Sequence, residues 1–271
     1  MPKSKLDKVA TNVFDAIEHE SLSHAAATQI EHLILGGILK SGMGLPGERD
    51  LAAQFGISRP KVREALIELE ENGLIEIIAG EGAFVTQLSA PAMSPALISL
   101  YTRHPTAIHD HLGYRSVQEG FAARLAAERR TQTDRDRIES LINQMKEAHE
   151  IENHELGSDL DSQFHMAITN ASHNHTLIHM MTSLYAMSRG SVFFARSKIL
   201  NIDEVSGALL KQHEAIAEGI LSGEPDMAER ASVEHIAYVR RSTEDGMAKQ
   251  ERETAARKRY LNQNRKRFTD D

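Results

Sequence analysis

The sequence of 271 residues contains no cysteine and no tryptophan, and aromatic residues make up only 5% of it. The absence of cysteine excludes disulfides, thiolate catalysis and zinc sites built on thiolates, so any metal site has to use histidine and carboxylate. Proline is also scarce, with 7 residues, whereas Ala, Leu, Ile and Glu are frequent. This composition favours a mainly helical protein of one large or two modest domains.

Long apolar runs and an excess of basic charge are missing as well. No stretch approaches the roughly 18–20 consecutive apolar residues of a membrane-spanning helix, and the N-terminus is charged rather than apolar. We therefore expect a soluble, cytoplasmic protein. The 31 Lys and Arg are outnumbered by 39 Asp and Glu, and the formal net charge of −8 argues against nucleic acid as a partner.

Composition divides the chain into parts. Residues 89–95 are small, uncharged and contain two prolines, which is typical of a linker. We expect a first domain over residues 1–88 with an extra helix over 6–20, a linker over 89–99, and a second domain over 100–248. Residues 249–271 carry 8 basic and 4 acidic side chains and should form a basic tail, helical at first and then frayed.

The first domain has the pattern of three helices followed by a hairpin. The spacing of apolar residues predicts helices over residues 26–39, 48–55 and 59–71. Ser58 is a suitable N-cap for the third helix. Two β-rich runs, 74–78 and 83–86, surround Gly80 and predict a hairpin. This order describes a winged helix-turn-helix.

Half of the eight basic residues in this domain lie on its second and third helices: Arg49, Arg59, Lys61 and Arg63. The last three crowd the start of the third helix. In a helix-turn-helix that end enters the major groove of DNA, where arginine can bond to guanine. Ser58 and the first amides of the helix can hold a phosphate. The alternative is that these cations only form ion pairs with acidic neighbours.

The runs LPGERDLA (residues 45–52) and GISRPKVREAL (residues 56–66) resemble the GntR family of bacterial transcription regulators. The resemblance covers about residues 25–88 and implies that the partner is double-stranded DNA. It also implies which residues contact the DNA: Arg49, Arg59 and Arg63 first, supported by Ser58, Lys61 and the wing at Gly80. Glu81 makes the tip of the wing more acidic than a strong DNA contact requires.

Residues 100–245 have a helical pattern throughout. Six segments are predicted as helices: 108–127, 133–152, 158–171, 176–196, 203–222 and 225–246. Six helices with short loops form an antiparallel bundle. Such bundles build ligand and metal sites from side chains that face one another inside the bundle.

Four side chains in this domain are candidate metal ligands. Asp161 and His165 are spaced i, i+4 and share one helix face, while His213 and His235 lie among apolar residues of later helices. One carboxylate and three imidazoles suit a divalent ion such as Zn²⁺ and leave positions for a ligand or water. Each histidine could instead be an ordinary helix residue. The pair His175 and His179 has the same spacing, and spacing alone does not rank it lower.

The segments DSQFHMAITNASHN (161–174), QHEAI (212–216) and EHI (234–236) are similar to the FCD effector domain of the FadR subfamily. The resemblance implies a metal, often zinc, on Asp161, His165, His213 and His235, which in turn holds a small carboxylate. It also implies that Arg115 points inward and binds that carboxylate. The residues alone allow only a surface ion pair of Arg115 with Glu119. Residues 190–196 would line the same cavity.

The whole sequence is most similar to regulators that respond to glycolate, lactate or pyruvate. We therefore expect a homodimeric, ligand-responsive repressor that binds a pseudo-palindromic operator and senses a 2-hydroxy or 2-keto acid. Two alternatives stay open. One is a metal-dependent hydrolase or lyase with Glu119 or Glu234 as general base. The other is a metal that only locks the bundle.

Overall fold

The computed structural model describes residues 21–88, 104–187 and 202–265, together with five isolated positions between 94 and 101. The helix expected over residues 6–20, most of the linker and the cavity lining expected over residues 190–196 lie outside the described residues. The chain divides into two compact units, Met1–Leu88 and Ser89–Asp271. Within the described ranges no helix is both long and apolar enough to cross a membrane.

The first unit begins with three helices, α1 (Leu22–Leu35), α2 (Glu48–Phe55) and α3 (Arg59–Glu71). A two-stranded antiparallel sheet follows, made of β1 (Ile75–Ile78) and β2 (Gly82–Val85). Ile75 pairs with Val85 and Ile78 pairs with Gly82, so the strands form a tight hairpin. The winged helix-turn-helix predicted from the sequence is confirmed.

Apolar side chains from every element of this unit meet in one core. α1 packs on α3, and α3 packs on α2 and β1. The most enclosed members are exposed by 3% or less: Ala27, Ile30, Val62, Ala65, Leu69, Ile75 and Val85. Burying each of the larger ones stabilises the unit by about 1.5–3 kcal/mol. This core fixes the start of α3 at the surface.

Helix α1 begins and ends about four residues earlier than the predicted range of 26–39. Ser21 caps its start by accepting a hydrogen bond from the amide of His24. Its end is set by Gly37, which has a φ of +69°, and by a hydrogen bond from the amide of Ile38 to the carbonyl of Leu33. The predicted range extends past this turn because apolar spacing continues through it.

The second unit consists of helices in the described ranges: α4 (Pro105–Arg129), α5 (Gln132–Glu150), α6 (His154–Ala171), α7 (His175–Met187), α8 (Ile202–Ser222) and α9 (Pro225–Arg265). α4 packs along α9 and α6, and α8 packs along α9 and α5. The core between them contains Phe164, Ile138, Leu141, Ile216 and Ile220, none of which is measurably exposed. The predicted all-helical bundle is confirmed.

Side chains at helix ends fix how these helices meet. Thr131 and Asp134 form a reciprocal capping box at the start of α5. At the end of α8, the carbonyl oxygen of Leu221 accepts hydrogen bonds from Arg130 at 3.2 Å and from Arg135 at 2.6 Å. These two arginines satisfy a carbonyl that the helix leaves unpaired and tie α8 to the α4–α5 connection.

The last helix joins two segments that the sequence predicts separately. The sequence predicts a helix over 225–246 and a tail from residue 249 that is helical at first, whereas α9 continues without interruption to Arg265, a total of 41 residues. At 1.5 Å per residue it is about 60 Å long. A single glycine inside a helix costs only about 0.5–1 kcal/mol, so Gly246 does not end it.

Candidate metal centre and nucleic-acid interface

Three helices of the second unit bring four candidate ligands together. α6 supplies Asp161 and His165 from successive turns, α8 supplies His213 and α9 supplies His235. One ligand atom from each of the four residues lies within 4.8 Å of every other. The three histidines are buried, with 4% exposure or less. The expected ligand set therefore forms one enclosed cluster of donor atoms.

The donor atoms in this cluster lack the hydrogen bonds that buried polar groups normally form. Oδ1 of Asp161 lies 3.1 Å from Nε2 of His213 and 3.7 Å from Nε2 of His165, yet neither nitrogen is hydrogen-bonded. Nδ1 of His213 is also buried and has no hydrogen-bond partner among the described residues. Leaving such groups unsatisfied costs about 1–3 kcal/mol each. A divalent cation would satisfy the convergent nitrogens, so the residues present fit a metal.

Two of the ligands are held by a second layer of polar side chains. Nδ1 of His235 donates a hydrogen bond to Oε1 of Gln212 at 3.0 Å, which leaves Nε2 as the nitrogen available for a metal. Nδ1 of His165 lies 2.9 Å from Oε2 of Glu119. Such outer partners orient histidine ligands and fix which nitrogen faces the metal.

Burial and neighbouring charges shift the pKa values of the three histidines in different directions. Burial lowers the pKa of His213, and it lowers the pKa of His235 still further together with the other two imidazoles. Burial opposes the charged form of His165 too, but Glu119 and Asp161 outweigh it and raise its pKa to about 9. Glu119 and Asp161 therefore favour positive charge at His165, whereas burial favours the neutral forms of His213 and His235.

Arg115 lies inside the bundle beside this cluster. It is 2% exposed, and its Nε donates to Oε1 of Glu119 at 2.6 Å. Its guanidinium carbon lies 5.5 Å from the ring centre of Tyr185. Burial would raise the pKa of Glu119, but Arg115 and His165 outweigh it and hold that pKa far below its usual range. The residues alone would allow an ion pair of Arg115 with Glu119 at the surface; in the structure this pair is buried inside the bundle.

The sequence does not point to two features of this region. From its spacing, Glu119 is only a surface partner of Arg115 or a candidate general base. In the structure it contacts a candidate ligand. Its i, i+4 spacing from Arg115 is the one signal in the sequence that could have indicated this. Tyr185 carries no signal at all. Its hydroxyl is buried and forms no hydrogen bond within the described part of the chain. Burial and Glu119 raise its pKa well above the usual value, so it is a neutral donor.

The competing pair of histidines lies elsewhere. His175 is exposed and His179 is half-buried at the start of α7, and neither belongs to the cluster of four. Glu234, one of the two candidate general bases, is exposed on α9. Glu119, the other, is already engaged with Arg115 and His165.

In the first unit, the expected DNA contacts lie on the exposed start of α3 and on α2. Glu48 bridges two of them: it accepts two hydrogen bonds from Arg63, at 2.8 and 2.7 Å, and lies 3.6 Å from Arg59. Lys61 pairs with Glu64, and Arg49 contacts Asp50. Arg63 lowers the pKa of Glu48. Ion pairing and DNA binding are therefore compatible, because exposed pairs are weak and phosphate can replace the carboxylates.

The other two expected DNA contacts are Ser58 and the wing at Gly80. Ser58 occupies the N-cap position of α3, but its hydroxyl makes no capping hydrogen bond. Gly80 lies in the turn of the hairpin with a φ of +85°, where a side chain would be strained. No atom lies within 4 Å of the position where its Cβ would be.

Comparisons with known proteins give the same division of the chain. Residues 22–85 match the family described as bacterial regulatory proteins, gntR family. Residues 110–238 match the FCD domain. The two matches fall on the winged helix-turn-helix and on the helical bundle.

Curated relatives are similar over most of their length. The Glc operon transcriptional activator of Escherichia coli is 34% identical over 84% of this chain and 91% of its own. The putative L-lactate dehydrogenase operon regulatory protein of the same species is 32% identical over 80% and 84%. The transcriptional repressor NanR of Cronobacter sakazakii is 27% identical over 82% and 85%. This chain is therefore a DNA-binding transcription regulator that belongs to the GntR family and carries an FCD domain.

Proposed function

We propose that the protein senses a small carboxylate at the buried cluster of the second unit and changes its affinity for DNA in response. The observation that carries this proposal is the convergence of unpartnered histidine nitrogens and Asp161 next to a buried arginine. A ligand can shift DNA binding only through different affinities for two arrangements of the protein.

We infer that the resident metal is Zn²⁺, held by Asp161, His165, His213 and His235. Three imidazoles and one carboxylate are donors that this borderline ion prefers, in a chain without thiolates. When bound, the ion supplies positive charge and open coordination positions for oxygen atoms of the effector. Gln212 and Glu119 keep two of the imidazoles in the ligating orientation.

Arg115 is proposed to bind the effector carboxylate. Glu119 holds its Nε, which leaves the rest of the guanidinium fork for a bidentate contact. Its burial makes a bound anion favourable because the anion adds compensating charge. The effector is proposed to be a 2-hydroxy or 2-keto monocarboxylate, and the name of the L-lactate operon relative supports this class.

Calorimetry tests the effector assignment directly. L-lactate, glycolate and pyruvate are titrated into protein that carries its full complement of zinc, with propionate as the matched acid without a 2-oxygen. We expect at least one 2-oxygenated acid to bind ten-fold or more tightly than propionate, equivalent to about 1.4 kcal/mol. The Arg115→Gln variant should lose most of this affinity. If none of the three acids binds, the effector assignment is wrong.

At the DNA, we propose that Arg49, Arg59 and Arg63 make the main contacts, with Ser58, Lys61 and the wing at Gly80 in support. Replacing Arg59 by Ala should weaken operator binding by about 1–3 kcal/mol and relax base preference. A binding titration on operator variants measures both. Unchanged affinity and unchanged base preference would contradict the placement of α3 in the major groove.

We further propose a homodimer that binds a pseudo-palindromic operator. An apolar stripe on α4 supports the dimer: Tyr114, Val117 and Phe121 follow each other at i, i+3 and i+7 and remain 47%, 67% and 42% exposed.

We infer repression in the cytoplasm, where the DNA partner is. The named relatives include both an activator and a repressor. A reporter gene fused to the regulated promoter distinguishes repression from activation. Expression of the reporter should rise when the regulator is deleted, and a fall would contradict repression.

A further inference from the structure

The end of α9 is a basic helix whose described side chains are mostly exposed. Met247 still packs against a small apolar cluster with Ile108 and Val239. Beyond it, residues 249–262 are exposed apart from a half-buried Ala255. An isolated helix of this length is only marginally stable in water, so its persistence points to a use outside the bundle. We call residues 249–262 the α9 extension.

The charge of this segment is opposite to that of the rest of the chain. Residues 249–265 carry 6 basic and 2 acidic side chains, whereas residues 1–248 carry 23 basic and 35 acidic side chains. Positive charge is thus separated along the chain rather than mixed with negative charge. A solvated surface helix needs no such separation, because interspersed charges of both signs serve solubility equally well.

The basic side chains also share a face. At 100° per residue, Lys249, Arg252 and Arg259 fall within one strip about 80° wide on the helix surface. The two acidic residues, Glu251 and Glu253, lie outside this strip. The strip is therefore a cationic edge of the extension. Arg257 and Lys258 lie outside it, with Glu253 and Glu251 between them and the strip.

Three arginines of the α9 extension are less engaged in ion pairs than the arginines of α3. Among the described residues, Arg252, Arg257 and Arg259 form no ion pair. Arg63, by contrast, is held by two hydrogen bonds to Glu48. Phosphate binding by Arg63 has to displace a carboxylate, whereas the arginines of the α9 extension can bind an anion without that cost.

We propose that the α9 extension binds the phosphate backbone of duplex DNA. Duplex DNA carries one negative charge per roughly 1.7 Å, which makes it a complementary partner for an elongated cationic edge. The extension has few of the apolar side chains that form the centre of a protein interface, since its exposed large apolar residues are Tyr260 and Leu261. Phosphate contacts add affinity that does not depend on sequence, so this helix would add to the contacts of α3 without reading bases.

A neutralised variant of the full chain tests this proposal. It combines Arg252→Gln, Arg257→Gln, Lys258→Gln and Arg259→Gln. A matched control removes the same charge from exposed arginines elsewhere in the second unit: Arg137→Gln, Arg230→Gln, Arg240→Gln and Arg241→Gln. The probe is a labelled duplex of random sequence, and affinity is measured by fluorescence anisotropy between about 50 and 200 mM salt.

The variant is expected to flatten the dependence of log K on log salt by about 0.9 for each phosphate that the helix no longer binds, or about 2–4 in all. The control should keep the wild-type slope, because charges far from the DNA are screened. Glutamine and arginine have similar helix propensities, and circular dichroism checks that the helix remains. A charge-retaining variant, Arg252→Lys with Arg257→Lys and Arg259→Lys, should also keep the slope.

Three results would overturn the proposal. An unchanged slope in the neutralised variant would show that the extension does not contact DNA. Equal flattening in variant and control would show an effect of net charge alone. An unchanged slope with an altered sedimentation coefficient would instead assign the extension to contacts between copies of the chain.

Discussion

Glu119 is a buried carboxylate whose two oxygen atoms face different partners. Oε1 accepts a hydrogen bond from Arg115, and Oε2 lies 2.9 Å from the ring of His165. In the proposed mechanism the first partner binds the effector and the second binds the metal. Glu119 therefore acts as a positioning residue for both, because neither a free arginine nor a free imidazole would hold its orientation inside the bundle.

Replacing Glu119 by Gln keeps the shape of the side chain but removes its charge. The buried Arg115 then lacks its counter-ion, which should cost about 3–5 kcal/mol of unfolding free energy. His165 loses the carboxylate that orients it, and zinc affinity should fall about 10–100-fold. Urea denaturation measures the first effect, and competition with a chromophoric chelator measures the second.

Glu128→Gln is the control for this experiment, because it removes the same charge from an exposed position on the same helix. It should change stability and zinc affinity very little, since exposed ion pairs contribute about 0–1 kcal/mol. A folded Glu119→Gln protein with wild-type zinc affinity would contradict the positioning role.

The candidate site was predictable from the sequence as far as residue spacing and family resemblance reach. The i, i+4 pair Asp161 and His165 follows from helix geometry, but only the resemblance separated it from His175 and His179. Spacing could not place Arg115 and Glu119 inside, because their burial depends on how α4 packs against other helices. The proximity of Tyr185 is likewise a property of how α7 packs against α6.

At the scale of elements, α8 approaches the start of α9 closely at Gly219. A Cβ atom there would lie 2.7 Å from the backbone nitrogen of Ala228 and 2.8 Å from its Cα. Backbone cannot move aside as a flexible side chain can. This glycine therefore sets how closely the helices bearing His213 and His235 approach each other.

Replacing Gly219 by Ala should destabilise the protein by roughly 1–3 kcal/mol, because the added methyl group forces α8 and α9 apart. Thermal denaturation measures the change. Gly157→Ala in α6 is the control: no atom lies within 4 Å of its Cβ position, so loss of glycine's flexibility should stabilise the helix by about 0.5–1 kcal/mol. A stable Gly219→Ala protein would contradict this account of the crossing.

The fold was predictable where apolar periodicity is strong and uninterrupted. The three helices, the hairpin and the helical bundle follow from that pattern. Two boundaries did not. α1 ends at Gly37 because a left-handed residue closes the helix while apolar spacing continues, and α9 passes Gly246 because one glycine costs a long helix little. The spacing of apolar residues gives no information about these local free energies, which decide where a helix ends.

At the scale of the whole molecule, net charge is a poor guide to the partner. The formal charge of −8 argues against nucleic acid, yet this is a DNA-binding regulator. An acidic body weakens sequence-independent attraction to DNA, while the cations concentrated on α3 would keep the local contacts that we propose for them. The acidic partners of these cations, such as Glu48, would lower the attraction further until the proposed DNA contacts displace them.

Native mass spectrometry of the purified full-length protein tests the central claim most directly, because it detects subunits, metal and acid in one species. The account predicts a dimer with about one zinc ion per chain and with a 2-hydroxy or 2-keto acid after incubation. His213→Ala should lose both the metal and the acid, whereas His175→Ala should retain both. Retention of the acid by metal-free protein, or loss of the metal in the His175→Ala protein but not in the His213→Ala protein, would contradict it.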